Sequence, residues 1–439
     1  MNTFPKNIHC AGIGGIGLSA LAQLLKHEGH VVTGSDRDES PVTEMLVSKG
    51  IDVQIGQTTE SLPASAELLI FSDALSEDNP ERVAAKERGI PSMSYFEALG
   101  KVSEGKRTVA ISGTHGKTTT TAMITKILVD LGLSPTAIIG SLTKDFESNY
   151  VPGMSDIFVV EACEYRRHFL HFTPTITVVT NVELDHTDYF TDAKDFEDAF
   201  VSFMNRTEVG GKIVTDTKST SIGRVLSQIQ CEAEVIDYTT AEVPGLSLIG
   251  EFNRQNARAA KAAVKALIPD ADEAIIDASL ESFHGTWRRF EYKGKTVLGA
   301  EVYDDYAHHP TAIAATIAAT KEKFPEKLIT VVFQPHLYSR TKSLLSEFAK
   351  SLETASDVVL LPIYAAREKV DETVSSEILA KEIQKLNPGM EVKVFKDRTL
   401  AVRYLLQICK DDTVIITMGA GTDAYAVAEE LVASSISTS

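Results

Sequence analysis

The sequence is poor in cysteine, tryptophan and positive charge, and it has no long apolar run. Its four cysteines, Cys10, Cys163, Cys231 and Cys409, are scattered and form no C-x-x-C pair. That excludes a disulfide framework and a zinc knuckle, and it fits a reducing compartment. The one tryptophan, Trp287, reads as a packed hinge residue and not as a platform for a ligand. Lys and Arg number 43 against 61 Asp and Glu, a formal net charge of -18. A field of that sign excludes a protein that grips nucleic acid through its overall charge. It does not prevent loops and helix N-termini from holding phosphate locally. No apolar stretch approaches the ~20 residues that span a bilayer. The N-terminus, MNTFPKNIHCAGIGGIGLSA, has one lysine before a glycine-broken apolar run, which is not the pattern of a signal peptide. A cytoplasmic protein is expected.

What the sequence does contain is alternation of short apolar strands with amphipathic helices, the signature of an α/β fold with parallel sheets. At ~150 residues per domain, 439 residues imply about three domains. Residues 1–100 read as a Rossmann-like unit: strand, glycine loop, helix, then a strand ending in an acid. Residues 101–290 open with TVAIS, a loop and a helix from about Lys117, followed by the apolar strands DIFVVE and TITVVTN. Residues 291–439 repeat strand, polar loop and helix four times, beginning at TVLGAEVYDD, LITVVF, DVVLL and TVIITM. This is the pattern of a second Rossmann-like sheet, with ligands expected at the strands' C-terminal ends.

Two loops carry chemistry. Gly12, Gly14 and Gly17 form G-x-G-x-x-G between a strand and a helix, and Asp36 closes the next strand. This matches the dinucleotide fingerprint in its structural setting, in which backbone N–H groups and the helix dipole hold a pyrophosphate. The motif does not choose between NAD and a nucleotide-sugar. The second loop, SGTHGKTTTT at 112–121, resembles a phosphate-binding loop one glycine short. Ile111 stands where the first glycine of the usual pattern falls, and Gly113 comes later. Gly116 still lets backbone approach phosphate, Lys117 reaches the β and γ oxygens, and Thr118 can ligate Mg²⁺. Acids at later strand ends, Glu161, Glu183 and Asp185, are hard oxygen donors of the kind that cation needs.

Together these residues resemble the Mur ligases, the ATP-dependent amide-forming enzymes of peptidoglycan synthesis. The resemblance spans the chain through GIGGIGLS, SGTHGKTTTT, VVEACEY, TNVELDH, GEFNRQN, WRRFE, YDDYAHHPT, FQPHLYSRT and GAGT. It implies that the first loop, with Gly12, Gly14, Gly15 and Gly17, holds the diphosphate of UDP-N-acetylmuramate, and that Ser35, Asp36 and Ser72 line that site. His115 would face the sugar acid. Gly113, Thr114, Gly116, Lys117, Thr118 and Thr119 would cradle ATP, with Asn253 and Asn256 at the adenine and Arg289 and Asp305 near ribose and phosphates. Thr118, Glu161 and His186 would hold Mg²⁺ or Mn²⁺. Tyr306, His308, His336 and Arg340 would form the amino-acid pocket, Arg340 pairing with the carboxylate. Lys117, Glu161, His186 and His308 are the catalytic candidates.

The implied reaction adds L-alanine to UDP-N-acetylmuramate through an acyl phosphate, releasing ADP and phosphate. The alternative within the family is attachment of an intact tripeptide, as in the recycling ligase. An NAD-dependent oxidoreductase fits the first loop but leaves the phosphate loop and strand-end acids unused. A non-catalytic nucleotide sensor would not need Lys117, Thr118 and Glu161. No nucleic-acid partner and no membrane insertion are expected, and the chain is expected to act as a monomer or homodimer.

Overall fold

A computed structural model describes residues 4–366 and 368–436, which build three sheets. The first contains β1 (Asn7–Ala11), β2 (Val31–Asp36), β3 (Asp52–Ile55), β4 (Leu68–Phe71) and β5 (Ser92–Ser94), all parallel, in the order β3-β2-β1-β4-β5. The order reverses between β1 and β4, so the turns leaving these two strands diverge and open a crevice. Gly12 follows β1 and Ser72 follows β4.

The second sheet contains β6 (Arg107–Ser112), β7 (Thr136–Thr143), β8 (Ser148–Val151), β9 (Ile157–Glu161), β10 (Ile176–Val179), β11 (Lys212–Thr215) and β12 (Glu234–Asp237). Its order is β12-β11-β10-β6-β9-β7-β8, with only β8 antiparallel. β6 is central and lies between β10 and β9. The phosphate loop that follows β6 therefore lies between the loops that follow β9 and β10. β9 and β10 are buried along almost their whole length, as strands covered on both faces must be, which explains their unbroken apolar runs.

The third sheet contains β13 (Glu291–Lys295), β14 (Glu301–Asp305), β15 (Leu328–Phe333), β16 (Asp357–Leu360), β17 (Glu391–Val394) and β18 (Thr413–Met418), in the order β13-β14-β18-β15-β16-β17. Only β13 is antiparallel. Two apolar layers cover this sheet, one around Ile313, Phe333 and Phe348, the other around Val302, Val332 and Leu431. The sequence pattern did not reveal β13, β17 or the β7–β8 hairpin. β8, β13 and β17 are short and sit at sheet edges, where burial imposes little periodicity; β7 is eight residues long and lies inside its sheet.

Tertiary contacts divide the chain into two compact units. One comprises Met1–Val182, Glu197–Gly245 and Asn256–His284 and carries the first two sheets; the other comprises Glu183–Phe196, Leu246–Gln255 and Gly285–Ser439 and carries the third.

Candidate active site

In the first unit the β1 loop is stitched to its neighbours. The N–H groups of Gly12 and Ile13 both donate to the Ser35 carbonyl, and the N–H of Gly14 donates to Asp36 Oδ2 at 2.8 Å. Gly12 has φ +77° and lies so close to Ser72 that a side chain there would collide with it. Ser35 and Asp36 both have protein partners here. The Ser35 hydroxyl is buried beneath the loop and donates to Glu81, which is itself paired with His9 at 2.7 Å. The Asp36 carboxylate caps the loop's own N–H. Both residues thus support the loop from behind. The first-turn N–H groups of helix Ile16–His27 have no intrahelical acceptor, the arrangement that suits an anion. Ser72 follows β4, its N–H bonded to the Ala11 carbonyl.

The phosphate loop runs from Ser112 into helix Lys117–Asp130, which starts on Gly116 at φ +83°. A β-carbon at Gly116 would meet the Asn256 side-chain amide, so the sequence needs glycine for both reasons. The main chain of His115 is clamped: its N–H donates to Asn181 Oδ1 at 2.9 Å, and its carbonyl accepts from Asn181 Nδ2 at 3.0 Å and from Thr180 Oγ1. Lys117 Nζ bonds to the carbonyls of Gly113 and Thr114 and pairs with Glu164 at 3.0 Å. Burial works against its charge, but Glu164, Cys163 and Glu161 outweigh burial and hold the ammonium above the ordinary lysine value. Thr118 Oγ1 donates to Glu161 Oε2 at 2.8 Å. Gly140 leaves room for that carboxylate, which a side chain would displace. Thr114 and Thr119 are buried flanks of the loop.

Glu164, Asn181 and Thr180 were not singled out from the sequence. Glu164 stands three residues after Glu161 in VVEACEY, so it was in view without a role. Asn256, expected at the adenine, lies against Gly116 and Thr120 at the start of the phosphate-loop helix.

In the second unit, the loops after β14 and β15 bring together His308, His336 and Arg340 beside Asp185. Arg340 donates to Asp185 Oδ1 from Nε at 2.9 Å and from Nη2 at 2.8 Å, and its Nη1 meets His336 Nδ1 at 3.1 Å. Both partners are buried. Burial alone would raise the Asp185 carboxyl. Arg340 holds it well below the usual carboxylate range. Arg340 was expected to receive the substrate carboxylate; its Nε and Nη2 are engaged by Asp185, and its Nη1 by the ring and carbonyl of His336. His308 Nδ1 lies 2.8 Å from the Tyr306 carbonyl. That contact makes Nδ1 the protonated nitrogen and leaves Nε2 with its lone pair. Burial first, then Arg340, push His308 well below the ordinary histidine value, against the opposing pull of Asp185.

Further residues near these loops have protein contacts of their own. Asp305 is buried, accepts from Thr316 Oγ1 at 2.6 Å and is raised by desolvation. Arg289 lies 5.2 Å from the Tyr306 ring centre, and Asn253 donates to the Ile249 carbonyl. His309 caps helix Pro310–Lys323, and Trp287 packs edge-on against Tyr425. His186 sits in a left-handed turn at φ +53° in the second unit, whereas Glu161 belongs to the first.

Comparison with known proteins decides the family. Residues 7–107 match the model described as "Mur ligase family, catalytic domain", 111–245 the "Mur ligase middle domain" and 288–421 "Mur ligase, glutamate ligase domain". The chain is 37% identical to a UDP-N-acetylmuramate--L-alanine ligase of Clostridium kluyveri over 97% of both chains. The chain belongs to the Mur ligase family. A second relative of the same name, from Agathobacter rectalis, is 37% identical to this Mur ligase over 95% of its length and 96% of the relative's. Among solved structures, the UDP-N-acetylmuramate-alanine ligase of Thermotoga maritima superposes with a TM-score of 0.81 at 26% identity, over 99% of this chain and 100% of that one. A murein peptide ligase from Psychrobacter arcticus gives 0.74 at 21% identity over 98% of each chain, a likeness of fold.

Proposed function

We propose that this Mur ligase joins the amino group of L-alanine to the lactyl carboxylate of UDP-N-acetylmuramate, with ATP converted to ADP and phosphate, in cytoplasmic peptidoglycan synthesis. The observation that carries the chemistry is the phosphate loop, with Lys117 paired to Glu164 and Thr118 to Glu161. A carboxylate is a poor acyl donor because oxide leaves badly. Attack by the carboxylate on the γ-phosphate gives an acyl phosphate, from which phosphate leaves readily when the amine attacks. Lys117 offsets the charge of the transferring group, and the clamped His115 main chain fixes the loop around it.

Thr118 Oγ1 and the Glu161 carboxylate, 2.8 Å apart, are two hard oxygen donors at the end of the phosphate loop and fit Mg²⁺. When bound there, the ion would neutralise charge on the β and γ oxygens. His308, held neutral with Nε2 bare, accepts a hydrogen bond from the alanine ammonium. His336 and Arg340 take its carboxylate.

The test is phosphate release with ATP, Mg²⁺ and UDP-N-acetylmuramate, with L-alanine present or absent. Release that needs both acceptor and alanine, with an amide of the correct mass, supports the reading. Turnover with L-Ala-γ-D-Glu-diaminopimelate and none with alanine would make the chain a recycling ligase.

A further inference from the structure

One polar pair lies between the two loops of the first unit and takes no part in either. Asp73 follows Ser72 in the turn after β4. His168 belongs to the turn after Glu161 and Glu164, and its ring stacks on Phe96 at 4.1 Å with 13° between planes. His168 is 8% exposed. Its Nε2 lies 3.8 Å from Asp73 Oδ1, too far for a direct hydrogen bond. Among the described residues, neither His168 Nε2 nor Asp73 Oδ2 has a hydrogen-bond partner, although both atoms are buried. Buried polar atoms without partners are costly and uncommon.

The surroundings of the pair point to its purpose. Tyr95 packs over Gly17 of the first loop and is within electrostatic reach of both Glu161 and Asp73. Asp73 follows Ser72 beside the β1 loop, and His168 stacks on Phe96, whose neighbour Tyr95 packs over that loop, in the segment that follows the phosphate-loop partners Glu161 and Glu164. His168 is held by an unusual backbone: Arg166 and Arg167 both adopt left-handed conformations, at φ +50° and +60°. Two adjacent non-glycine residues in that region are strained.

We infer that Asp73 and His168 read the sugar of the UDP-linked substrate: one ring hydroxyl bridges them, hydrogen-bonded to both the Asp73 carboxylate and His168 Nε2. A hydroxyl can sit within hydrogen-bond reach of two atoms this far apart, donating its one proton to the Asp73 carboxylate and accepting from the Nε2–H of His168. This rests on the proposed substrate, whose diphosphate occupies the β1 loop and whose carboxylate must reach Lys117. The sugar between them is then carried past this pair. Asp73 and His168 act in positioning and recognition, with no part in bond making.

Calorimetric binding of UDP and of UDP-N-acetylmuramate separates this role from a structural one. The proteins compared are wild type, Asp73→Ala, His168→Ala, the double variant and the nearly isosteric Asp73→Asn. Each single alanine variant is expected to bind UDP-N-acetylmuramate roughly tenfold more weakly or worse, with UDP affinity unchanged. The double variant should lose little more than either single one, because both side chains hold the same hydroxyl. Asp73→Asn, which keeps the shape and folds even where His168→Ala does not, should recover part of the loss. Equal losses for UDP and the UDP-sugar would make the pair structural and overturn the inference. Unchanged affinity for both, as expected if only water bridges the pair, would overturn it too. Failure of the functional reading looks different: wild type would then bind the UDP-sugar no better than UDP.

Discussion

At the residue scale, buried ion pairs set the charge state of this protein's chemistry. The Asp185–Arg340 pair is the clearest. Asp185 is depressed when folded, so its contribution to stability is complete above the unfolded carboxyl value and is lost as pH falls through the folded one. Asp185→Asn leaves Arg340 buried without its counter-charge. It should destabilise the second unit by about 3–5 kcal/mol at neutral pH. In urea melts the difference from wild type should be full above about pH 5 and shrink below about pH 4. A difference independent of pH would mean that the pair is not the source.

Asp73 has the opposite sign. Burial, then Glu97, raise its carboxyl to about 6 against Arg166 and Arg82, so the folded chain holds this proton more tightly than the unfolded one. Stability then falls as pH rises from about 4 to 6, and the cost is present in full at pH 8. After discounting for solvent screening, that cost is roughly 1–2 kcal/mol. Asp73→Asn should raise the melting temperature at pH 8 and leave it unchanged at pH 4. No gain at pH 8 would show that the carboxylate is not destabilising the fold.

At the element scale, the two glycine loops were legible in the sequence because glycine there encodes backbone geometry. Gly12 and Gly116 sit at φ +77° and +83° with side chains pressed against their Cα atoms, and no other residue fits. Gly116→Ala should therefore cost at least about 1–2 kcal/mol from the left-handed backbone alone. Because the added methyl displaces Asn256, it should also raise KM for ATP at least tenfold while leaving UDP binding intact. Normal ATP kinetics in this variant would mean that the loop is not the ATP site.

The apolar runs of β9 and β10 were legible for a similar reason, since strands covered on both faces must be apolar throughout. The short edge strands β13 and β17 carry no comparable constraint. The partners of the site residues were not legible either. Arg340 and Asp185 are 155 positions apart, and nothing local distinguishes an arginine that pairs with a protein carboxylate from one that receives a ligand. Ser35 and Asp36 stood at the right strand end, yet support the loop from below. Strand-end position foretold their neighbourhood and not which way each side chain turns.

At the scale of the whole molecule, the chain distributes one reaction over two compact units. The first carries the β1 loop and the phosphate loop; the second carries the His308, His336, Arg340 and Asp185 cluster. The division matches the chemistry, in which a carboxylate is activated by phosphoryl transfer and an amine is presented to it. An activated acyl group must form before alanine can react, and its oxygen leaves with the phosphate. Turnover with UDP-N-acetylmuramate labelled with ¹⁸O in its lactyl carboxylate, read by mass spectrometry of phosphate and UDP-product, tests this most directly. The account predicts one ¹⁸O atom in each phosphate released and an alanyl amide formed in equal amount. Unlabelled phosphate, or phosphate released without amide, would contradict it.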